Sequence, residues 1–388
     1  MSHLPAVKLK KNRASSLYRK HPWIFSGAIY SEVSKLKNGD LVQVTDEYNE
    51  ALAIGHFFHG SIAVRVLEFS NETDVLAIFK RKIYAAYALR KQMGLVNNPN
   101  TNIYRLIHGE GDGLSGLIID IYGGTAVIQC HSVGMYSHIQ DIAMILVAIY
   151  GNSLAVFDKS EDVIKEANLK SYIIGSKKEE LLYENGIKFI IDWEKGQKTG
   201  FFIDQRNNRK ALQKYVKDKN IINLFSYSGG FSMYAQEAGA SQVISVDASR
   251  AANEICIKNF ELNFGISHEA ITADAVEYLK SMSHNFDVIV LDPPAFAKHL
   301  SAKHKAIQGY KKINVQAIKH IKPNGILLTF SCSQVIDAQT FKDTITAAGI
   351  EAGRNVRIIE HLSQPEDHPI NLFHPESNYL KGLVLFVE

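Results

Sequence analysis

The feature that most limits the fold is the stretch 221–291, in which short apolar runs alternate with helical patterns. Ile221–Phe225 and Val243–Val246 are apolar runs of the kind found in strands that are covered on both faces. Between them, Gly229 and Gly230 allow a sharp turn into a helix predicted over Phe231–Ala240. The pattern therefore predicts a strand, a glycine turn, a helix and a second strand.

The same alternation continues after the second strand. It predicts further strands at Glu269–Thr272, Phe286–Leu291 and Gly325–Phe330, with helices at Ala251–Asn263 and Ala275–Ser281. Strands that alternate with helices in this way form parallel sheets with helices on both faces. We therefore expect an α/β fold in this part of the chain.

The glycine turn and the acid after the second strand predict a nucleoside cofactor, although the glycines alone also fit a purely structural turn. Asp247 comes at the carboxyl end of its strand, where open α/β sheets bind ligands, and it can accept hydrogen bonds from two ribose hydroxyls. The turn Ser226–Phe231 lacks the glycine spacing that seats a pyrophosphate. S-adenosylmethionine has no phosphate and is therefore favoured over a nicotinamide dinucleotide. The Thr199–Phe202 turn is a candidate wall of the same pocket.

The sequence Asp292-Pro293-Pro294-Ala295-Phe296 follows the strand predicted at 286–291. Its prolines fix the backbone at the sheet edge and remove two N–H donors. An acid, two prolines and an aromatic residue are characteristic of methyltransferases that act on bases or amides, and the inserted alanine points to the RNA-modifying members. We predict that Asp292 holds a base and that Phe296 stacks on it.

A cysteine follows the strand predicted at 325–330, and we expect Cys332 to lie across the pocket from Asp292. C5 of cytosine is a poor nucleophile, but a thiolate that adds to C6 enables C5 to attack a methyl donor, and loss of the C5 proton then expels the thiolate. Cationic neighbours would lower the pKa of the thiol. In this context Cys332 is the predicted nucleophile, whereas Cys130 and Cys256 are predicted to be buried packing residues.

Positive charge is concentrated in two segments. The chain has no acid before Glu32, and Trp23 and Phe25 follow the basic run there. No acid occurs between Asp292 and Asp337 either, and the lysines in that gap are Lys298, Lys303, Lys305, Lys311, Lys312, Lys319 and Lys322. Basic surfaces with stackable rings suit RNA, and the alternative is a solvated arm and a solvated helix face.

Three local patterns give further predictions. The loop His108–Leu114 combines a histidine with acids, but these are consecutive, so turn formation is favoured over metal binding and no metal site is predicted. Asn185-Gly186 predicts a hairpin with a type I′ turn. Asp204 is predicted to cap the helix that follows it.

The length of 388 residues allows two or three domains. We expect a small β-barrel-like domain at 1–73, a small α+β domain at 74–185 and the cofactor-binding domain at 186–388. The three cysteines are widely spaced and predict no disulfide framework. The N-terminus lacks a signal-peptide core and no apolar run could span a bilayer, so a cytoplasmic location is expected.

Taken together, these motifs resemble the large-subunit (23S) rRNA cytosine-C5 methyltransferase family. The resemblance spans nearly the whole chain and rests on the segments His21–Gly27, His108–Leu114, Gly196–Arg209, Asn223–Phe231, Asp292–Lys298, Ser331–Ser333, Asp367–Pro369 and Tyr379–Leu383. It implies a class I methyltransferase fold, with a seven-stranded and mostly parallel sheet, behind an N-terminal PUA domain that binds RNA. It also implies S-adenosylmethionine as cofactor, rRNA as partner and, often, a homodimer.

The resemblance, together with the motifs, assigns the following roles. Cys332 and Asp292 are the expected catalytic residues. The expected cofactor-binding residues are Thr199, Phe201, Gln205, Asn223, Phe225, Ser226, Tyr227, Gly229, Gly230, Asp247, Ala248, Ser249, Asn263, Asp274, Ala275 and Asp292. The expected substrate-binding residues are Trp23, Pro293, Pro294, Phe296 and Lys298. Another group of cytosine-C5 RNA methyltransferases carries a second cysteine where Pro294 stands here, so product release in this chain cannot depend on one.

Other functions remain open at this stage. The same fold could methylate a purine nitrogen in rRNA, with Asp292 orienting the base and Cys332 only packing. The chain could also be a non-catalytic RNA-binding assembly factor. A nicotinamide oxidoreductase is least favoured because the glycine spacing is wrong.

Overall fold

The computed structural model describes residues 4–162, 164, 171–178, 180–282, 286–297 and 299–388. The chain divides into two compact units. The first comprises Met1–Tyr183, Ile191–Phe201 and Glu366–Ser377, and the second comprises Glu184–Ile190, Phe202–Pro365 and Asn378–Glu388. Within the described ranges, no helix is both long and apolar enough to cross a membrane.

The first unit begins with a five-stranded sheet. Its elements are β1 (Ala6–Lys8), α1 (Ser15–Tyr18), β2 (Trp23–Phe25), β3 (Leu41–Thr45), β4 (Ala51–Phe57) and β5 (Ile62–Glu68). The strand order is β1-β3-β4-β5-β2, and only β1 and β3 pair in parallel among these neighbours. Val42 and Val44 are fully buried on the same face of β3, as the period of two in a half-buried strand requires.

A second five-stranded sheet follows in the same unit, with order β10-β9-β8-β7-β6. Its elements are α2 (Val75–Gln92), β6 (Ile103–His108), β7 (Leu117–Tyr122), β8 (Thr125–Cys130), α3 (Val133–Tyr136), α4 (Ile139–Tyr150), β9 (Ala155–Asp158) and β10 (Ser171–Ile174). Asp74 caps α2 by accepting a hydrogen bond from the backbone N–H of Ala77. Cys130 is fully buried, as predicted.

The acids of the loop 108–114 serve the structure of the first unit. Asp112 accepts hydrogen bonds from both terminal nitrogens of Arg90, at 2.5 and 2.7 Å, and from the backbone N–H of His108. Glu110 accepts from the indole N–H of Trp23 at 2.8 Å. The acids of this loop therefore hold its backbone and its neighbours in place, as turn chemistry predicts.

The hairpin predicted from Asn185-Gly186 is also confirmed. Two short strands, β11 (Leu182–Glu184) and β12 (Ile187–Phe189), flank the turn. Asn185 and Gly186 have φ angles of 52° and 84°. Positive φ at both central residues is what a type I′ turn requires.

The second unit contains a seven-stranded sheet with order β15-β14-β13-β16-β17-β19-β18. Its elements are α5 (Arg206–Leu212), β13 (Asn220–Leu224), α6 (Gly230–Glu237), β14 (Gln242–Asp247), α7 (Arg250–Phe264), β15 (Glu269–Thr272), α8 (Ala275–Ser281), β16 (Val288–Leu291), α9 (Lys303–His320), β17 (Gly325–Ser331), α10 (Ala338–Ala352), β18 (Val356–Leu362) and β19 (Lys381–Val387). Only β19 runs antiparallel to its two neighbours. The predicted α/β fold with a mostly parallel sheet is confirmed.

The order of the strands determines where a ligand can bind. β14 and β15 lie on one side of β13, whereas β16 and β17 lie on the other. In open parallel sheets, ligands occupy the crevice at the carboxyl ends of the strands, where the strand order reverses in this way. The loops after β13, β14, β16 and β17 share that edge.

A buried ion pair between Glu184 and Arg209 lies in the second unit. Nε and Nη2 of Arg209 donate to the two carboxylate oxygens at 2.8 and 2.7 Å, and Nη1 donates to the carbonyl oxygen of Phe202 at 2.9 Å. The hydroxyl of Tyr234 also donates to Glu184. Burial acts to lower the pKa of Arg209, but Glu184 raises it above its usual value, so the arginine stays charged.

The prediction that Asp204 caps the next helix is wrong. A 3-10 turn, Ile203–Gln205, comes first, and α5 then begins without a side-chain cap. The carboxylate of Asp204 accepts a hydrogen bond from the hydroxyl of Tyr379 at 2.7 Å instead. The carboxylate of Asp204 therefore accepts from a tyrosine that is distant in sequence, and not from the backbone N–H groups at the start of the next helix.

Candidate active site

The turn after β13 is built from left-handed backbone conformations. Phe225, Tyr227 and Gly229 have φ angles of 60°, 48° and 84°. For the two non-glycine residues such conformations cost about 1–3 kcal/mol each, and strain of this kind clusters at ligand sites. Phe225 therefore opens the turn, whereas the sequence pattern had placed it at the end of the strand.

Asp247 holds this turn in place. Its Oδ2 accepts a hydrogen bond from the backbone N–H of Tyr227 at 2.9 Å, and its Oδ1 accepts from that of Ser249 at 2.8 Å. Ala248 lies between Asp247 and Ser249 in the loop after β14, and the hydroxyl of Ser249 caps α7. Each carboxylate oxygen has a second lone pair, so half-buried Asp247 can still accept hydrogen bonds from a ligand.

Both glycines of the turn allow close approaches. A Cβ at Gly229 would lie 2.3 Å from the sulfur of Cys256, which is buried as predicted. A Cβ at Gly230 would lie 3.1 Å from Cδ of Arg209. The turn can therefore pack this tightly only without side chains at these two positions.

Two of the buried polar atoms that lack hydrogen-bond partners among the described residues lie in β13 and the turn after it. They are Oδ1 of Asn223, in β13, and Oγ of Ser226, in the turn. The amide nitrogen of Asn223 does have a partner, since it donates to the hydroxyl of Ser232 at 2.9 Å. A buried polar atom without a partner costs about 1–3 kcal/mol, so both atoms fit a role as ligand contacts.

Among the other predicted cofactor residues, the structure brings Asp274 and Ala275 to the carboxyl edge but not Asn263. Asp274 follows β15 and caps α8, and Ala275 is buried. Asn263 lies near the end of α7, about 20 Å along the helix from its first residue at 1.5 Å per residue. Its side chain hydrogen-bonds the backbone N–H and C=O of Lys188.

Three of the predicted site residues belong to the first unit. The hydroxyl of Thr199 hydrogen-bonds the carboxylate of Asp120 and the hydroxyl of Tyr122. Phe201 is buried, and Trp23 is half-buried. Their proposed contacts with cofactor or RNA stay predictions.

Asp292 lies directly after β16. Burial raises the pKa of its carboxyl to about 7, and the nearby charge of Asp204 adds to the rise. A hydrogen bond from Gln205 and the charge of Arg209 oppose it. Gln205 is itself fixed, because its carbonyl oxygen accepts from Asn208 at 2.6 Å. Near neutral pH Asp292 can therefore either donate or accept a proton.

The aromatic residue after the two prolines packs on the helix that follows. The ring of Phe296 lies 4.7 Å from that of Tyr310, centroid to centroid, and against Gly309. Pro293 is buried and Pro294 is exposed. Phe296 is half-buried, so part of its ring remains accessible. Lys298, predicted to contact the substrate, lies outside the described residues.

Cys332 lies just beyond β17 and is half-buried. β16 and β17 are parallel neighbours with Leu291 opposite Thr329, so Asp292 and Cys332 follow adjacent strands at the same edge. The hydroxyl of Tyr310 is within electrostatic range of both. Burial raises the pKa of Tyr310 to about 12, and the charges of Cys332 and Asp292 act in the same direction. The predicted pair of catalytic side chains thus follows adjacent strands at the same edge of the sheet.

Lys381 is a site residue to which the sequence reasoning gave no role. It begins β19, opposite Ser331 of β17, and its Nζ donates to the carbonyl oxygens of Ser333 and Tyr379 at 2.6 Å each. Burial lowers its pKa to about 8, and the charge of Cys332 partly opposes this. A cation near the thiol favours the thiolate. Only the antiparallel pairing of β19 with β17 reveals this contact.

Some of the lysines between Asp292 and Asp337 form ion pairs that the sequence pattern does not show. Three of them have acidic partners in the structure: Lys303 with Asp337 at 3.5 Å, Lys311 with Glu351 at 2.6 Å and Lys322 with Asp287 at 3.1 Å. These acids lie outside the gap in sequence. The positive surface is therefore weaker than the gap alone predicts.

Comparison with known proteins identifies the family. Residues 171–383 match the family described as S-adenosylmethionine-dependent methyltransferase, and residues 7–69 match a PUA-like domain. The chain belongs to the S-adenosylmethionine-dependent methyltransferases. The predicted enzyme class, the predicted S-adenosylmethionine cofactor and the predicted N-terminal PUA-like domain are thereby confirmed.

Relatives and solved structures agree with this assignment. Proteins named ribosomal RNA large subunit methyltransferase I from Enterobacter sp. (strain 638) and Escherichia coli (strain SMS-3-5 / SECEC) are 37% and 38% identical to this methyltransferase, over 96% of its chain and 97% of theirs. A protein from Streptococcus mutans described as a SAM-dependent methyltransferase shares its fold, with a TM-score of 0.84 at 22% identity. A methyltransferase structure complexed with SAH gives 0.85 at 21% identity. Each alignment covers 99% of this chain and 100% of that structure.

The glycine turn generates a prediction for cofactor affinity. We expect Gly229→Ala to weaken S-adenosylmethionine binding at least about tenfold, equivalent to about 1.4 kcal/mol, because the new Cβ collides with Cys256 and displaces the turn. Gly265→Ala is the matched control: Gly265 also has a positive φ, of 66°, but a Cβ added there would have no atom within 4 Å. Isothermal titration calorimetry on both folded variants measures the difference. Unchanged affinity in Gly229→Ala would contradict the role given to the turn.

The raised pKa of Asp292 generates a prediction for stability. Because its folded-state pKa of about 7 exceeds the usual 3.8, ionisation is disfavoured in the folded state. As pH rises from 5 to 7, the free energy of unfolding of the wild type should therefore fall relative to that of Asp292→Asn. The expected decrease is about 1.4 kcal/mol for each pH unit. The measurement is urea unfolding of the apo protein at pH 5, 6, 7 and 8.

Asp287→Asn serves as the control of opposite sign for this measurement. Burial acts to raise the pKa of Asp287, but the backbone N–H of Asn220 and the side chain of Lys322 lower it below its usual value. The stability that ionised Asp287 contributes is therefore complete above about pH 4, so the difference between the wild type and Asp287→Asn should stay constant from pH 5 to 8. A stability difference for Asp292→Asn that does not change with pH would show that Asp292 ionises normally.

Proposed function

We propose that this methyltransferase transfers a methyl group from S-adenosylmethionine to C5 of a cytosine in large-subunit ribosomal RNA, through a covalent bond between Cys332 and C6. The observation that carries the proposal is the arrangement of Cys332 and Asp292 after adjacent strands, with Lys381 near the thiol. The name of the relatives, ribosomal RNA large subunit methyltransferase I, supports the RNA substrate.

The carboxyl edge of the sheet offers partners for the cofactor. Oδ1 of Asn223 and Oγ of Ser226, which lack partners among the described residues, can bond the polar methionine part. Asp247 can accept hydrogen bonds from the ribose hydroxyls, and Asp274 offers an acceptor for the base. The other residues predicted for this pocket stay predictions, and we leave Asn263 out because of its distance along α7.

In the proposed reaction, the thiolate of Cys332 attacks C6 and forms a sulfur–carbon bond. The electron pair of the C5–C6 double bond is delocalised toward N3, which receives a proton from Asp292. S-adenosylmethionine supplies an electrophilic methyl group on a positively charged sulfur. C5 attacks this methyl carbon, and the electron pair of the broken methyl–sulfur bond stays on the departing thioether. A water molecule takes the C5 proton, the electron pair of that C–H bond re-forms the C5–C6 double bond, and the thiolate is expelled with the electron pair of the sulfur–carbon bond. N3 then returns its proton to Asp292.

Two residues near the thiol fit this sequence of steps. Lys381 is charged below about pH 8, so it favours the thiolate that begins the reaction. Asp292, with a pKa of about 7, can give a proton and take it back near neutrality. The thiol chemistry requires no metal ion. Release of the product relies on loss of the C5 proton, since Pro294 occupies the place of a second cysteine.

We infer that residues of both the PUA-like region, 7–69, and the methyltransferase region, 171–383, contact the RNA. Phe296 presents part of its ring beside Asp292, where it can stack on the target base. Trp23 lies in the PUA-like domain, which we propose binds RNA together with the basic N-terminal segment. The proposed domain 1–73 is supported by the family match at 7–69. The match at 171–383 covers most of the proposed domain 186–388 but begins within the proposed domain 74–185, and the first compact unit includes Ile191–Phe201 and Glu366–Ser377.

We also infer a cytoplasmic location, where ribosomal RNA would meet the enzyme, and a homodimer. The support for the dimer is the family resemblance of the sequence. Sedimentation velocity of the purified chain should give about twice the monomer mass of 43.3 kDa. A monomer across the micromolar range would refute the dimer without affecting the proposed chemistry.

The proposed chemistry is tested with labelled S-adenosylmethionine and ribosomal RNA, followed by digestion to nucleosides. We expect the wild type to form 5-methylcytidine and Cys332→Ala to form none, because C5 is not activated without the thiolate. Lys381→Met should retain the product, but the rise of its rate with pH should shift to higher pH because the thiol loses its cationic neighbour.

Cys130→Ala is the matched control for the thiol. Cys130 is fully buried in β8 of the first unit, so its removal should leave the product unchanged. A methylated purine that forms equally in wild type and Cys332→Ala would replace the proposal with purine N-methylation. Absence of any S-adenosylmethionine binding by the wild type would favour a non-catalytic RNA-binding role.

A further inference from the structure

Two histidines and a glutamate from opposite ends of the chain converge in the first unit. Nε2 of His21 lies 3.7 Å from Oε2 of Glu376, and Nε2 of His374 lies 3.6 Å from the same oxygen. One candidate ligand atom from each of the three residues lies within 4.8 Å of the others. Such a set cannot be recognised from sequence spacing, because His21 precedes β2 whereas the other two belong to the segment Glu366–Ser377.

His374 is the observation that points to a ligand. Its side chain is 3% exposed, yet neither ring nitrogen has a hydrogen-bond partner among the described residues. Leaving a buried polar group in this state costs about 1–3 kcal/mol. The ring is fixed by packing, since its centroid lies 4.3 Å from that of Trp23 and 5.4 Å from that of His21.

His21 is placed so that its Nε2 faces Glu376. Its Nδ1 accepts a hydrogen bond from the backbone N–H of Trp23 at 3.1 Å and lies 3.2 Å from the carbonyl oxygen of the same residue. Binding of a metal ion at Nε2 selects the other tautomer, in which Nδ1 carries the proton and donates to that carbonyl. Metal-ligating histidines usually bond a carbonyl or carboxylate through the other ring nitrogen in this way.

The spacing suits a small transition metal. With metal–ligand distances of about 2.0–2.1 Å, neighbouring ligand atoms of a tetrahedral zinc site lie about 3.3–3.4 Å apart. The distances of 3.6 and 3.7 Å from Glu376 exceed that by a few tenths of an ångström, whereas the widest separation in the set, up to 4.8 Å, requires an imidazole to move inward when the ion binds. Glu376 is 43% exposed and can adjust, and its exposure leaves room for a water molecule as the fourth ligand.

We propose that His21, His374 and Glu376 form a binding site for a divalent transition metal ion, best fitted by Zn²⁺. Two imidazoles and one carboxylate match zinc, whereas Mg²⁺ and Ca²⁺ prefer oxygen ligands throughout. The ion joins the segment Glu366–Ser377 to the residues before β2 and holds Trp23 through its packing on His374. The three ligands all belong to the first unit, and the site revises the expectation from sequence that the chain holds no metal.

The test uses the full-length, untagged protein after removal of metal with a chelator. Calorimetric titration with Zn²⁺ should show one site per chain, and Co²⁺ should give the visible absorption of a nitrogen- and oxygen-liganded ion. Glu376→Gln should weaken Zn²⁺ binding at least about tenfold, and His21→Gln at least as much, given that even residues behind metal ligands contribute about 10- to 100-fold. Zn²⁺ should raise the Tm of the wild type but not of these variants.

Two controls show whether the ion binds at this cluster. His304→Gln and Glu72→Gln remove an exposed histidine and an exposed glutamate elsewhere, and both should bind Zn²⁺ as the wild type does. His374→Ala is avoided because this buried residue can be needed for folding. The proposal is overturned if the wild type binds no Zn²⁺, if both cluster variants bind it undiminished, or if Mg²⁺ competes at equal concentration. Binding of S-adenosylmethionine is independent of all these outcomes.

Discussion

The second unit depends on the buried pair of Glu184 and Arg209. Removing two opposite charges from water is costly, and the cost is offset only when their donors and acceptors are satisfied. Arg209 bonds both oxygens of Glu184 and the carbonyl of Phe202, and Gly230 leaves room for its side chain. Its charge also limits the rise in the pKa of Asp292. One buried cation therefore links the hairpin before the sheet, the start of α6 and the acid after β16.

The strained turn after β13 also depends on a carboxylate whose hydrogen bonds are satisfied. Left-handed conformations at Phe225 and Tyr227 persist because the carboxylate of Asp247 accepts the N–H of Tyr227. The strain leaves two buried acceptors, in Asn223 and Ser226, without partners among the described residues. A rigid scaffold that fixes such atoms in advance loses little entropy when a ligand arrives. The same rigidity that makes the turn costly would let it bind the proposed cofactor without further ordering.

The sequence predicted those features that depend on local pattern. The strand–helix alternation and the turn at Asn185-Gly186 follow from periodicity and backbone freedom, and both were confirmed. The cap predicted for Asp204 was wrong because the competing donor, Tyr379, lies at the other end of the chain. Lys381 was assigned no role for the same reason, since only the pairing of β19 with β17 brings it to Ser333. Sequence patterns identify elements and their edges, whereas long-range pairing decides which side chains meet there.

The long-range contacts also explain how one edge can manage proton transfer. Burial raises the pKa of Asp292 to about 7 and lowers that of Lys381 to about 8. The same physical effect thus moves an acid and a base, which normally titrate far apart, into one range near neutrality. A pKa near neutrality suits Asp292 to exchange a proton, whereas Lys381 stays charged below about pH 8 and favours the thiolate. With Cys332 close to Lys381, the edge combines a thiol, a cation that favours its thiolate and an acid whose pKa lies near neutrality. These three follow β16 and β17 or begin β19, so the arrangement of three neighbouring strands determines which side chains meet at this edge.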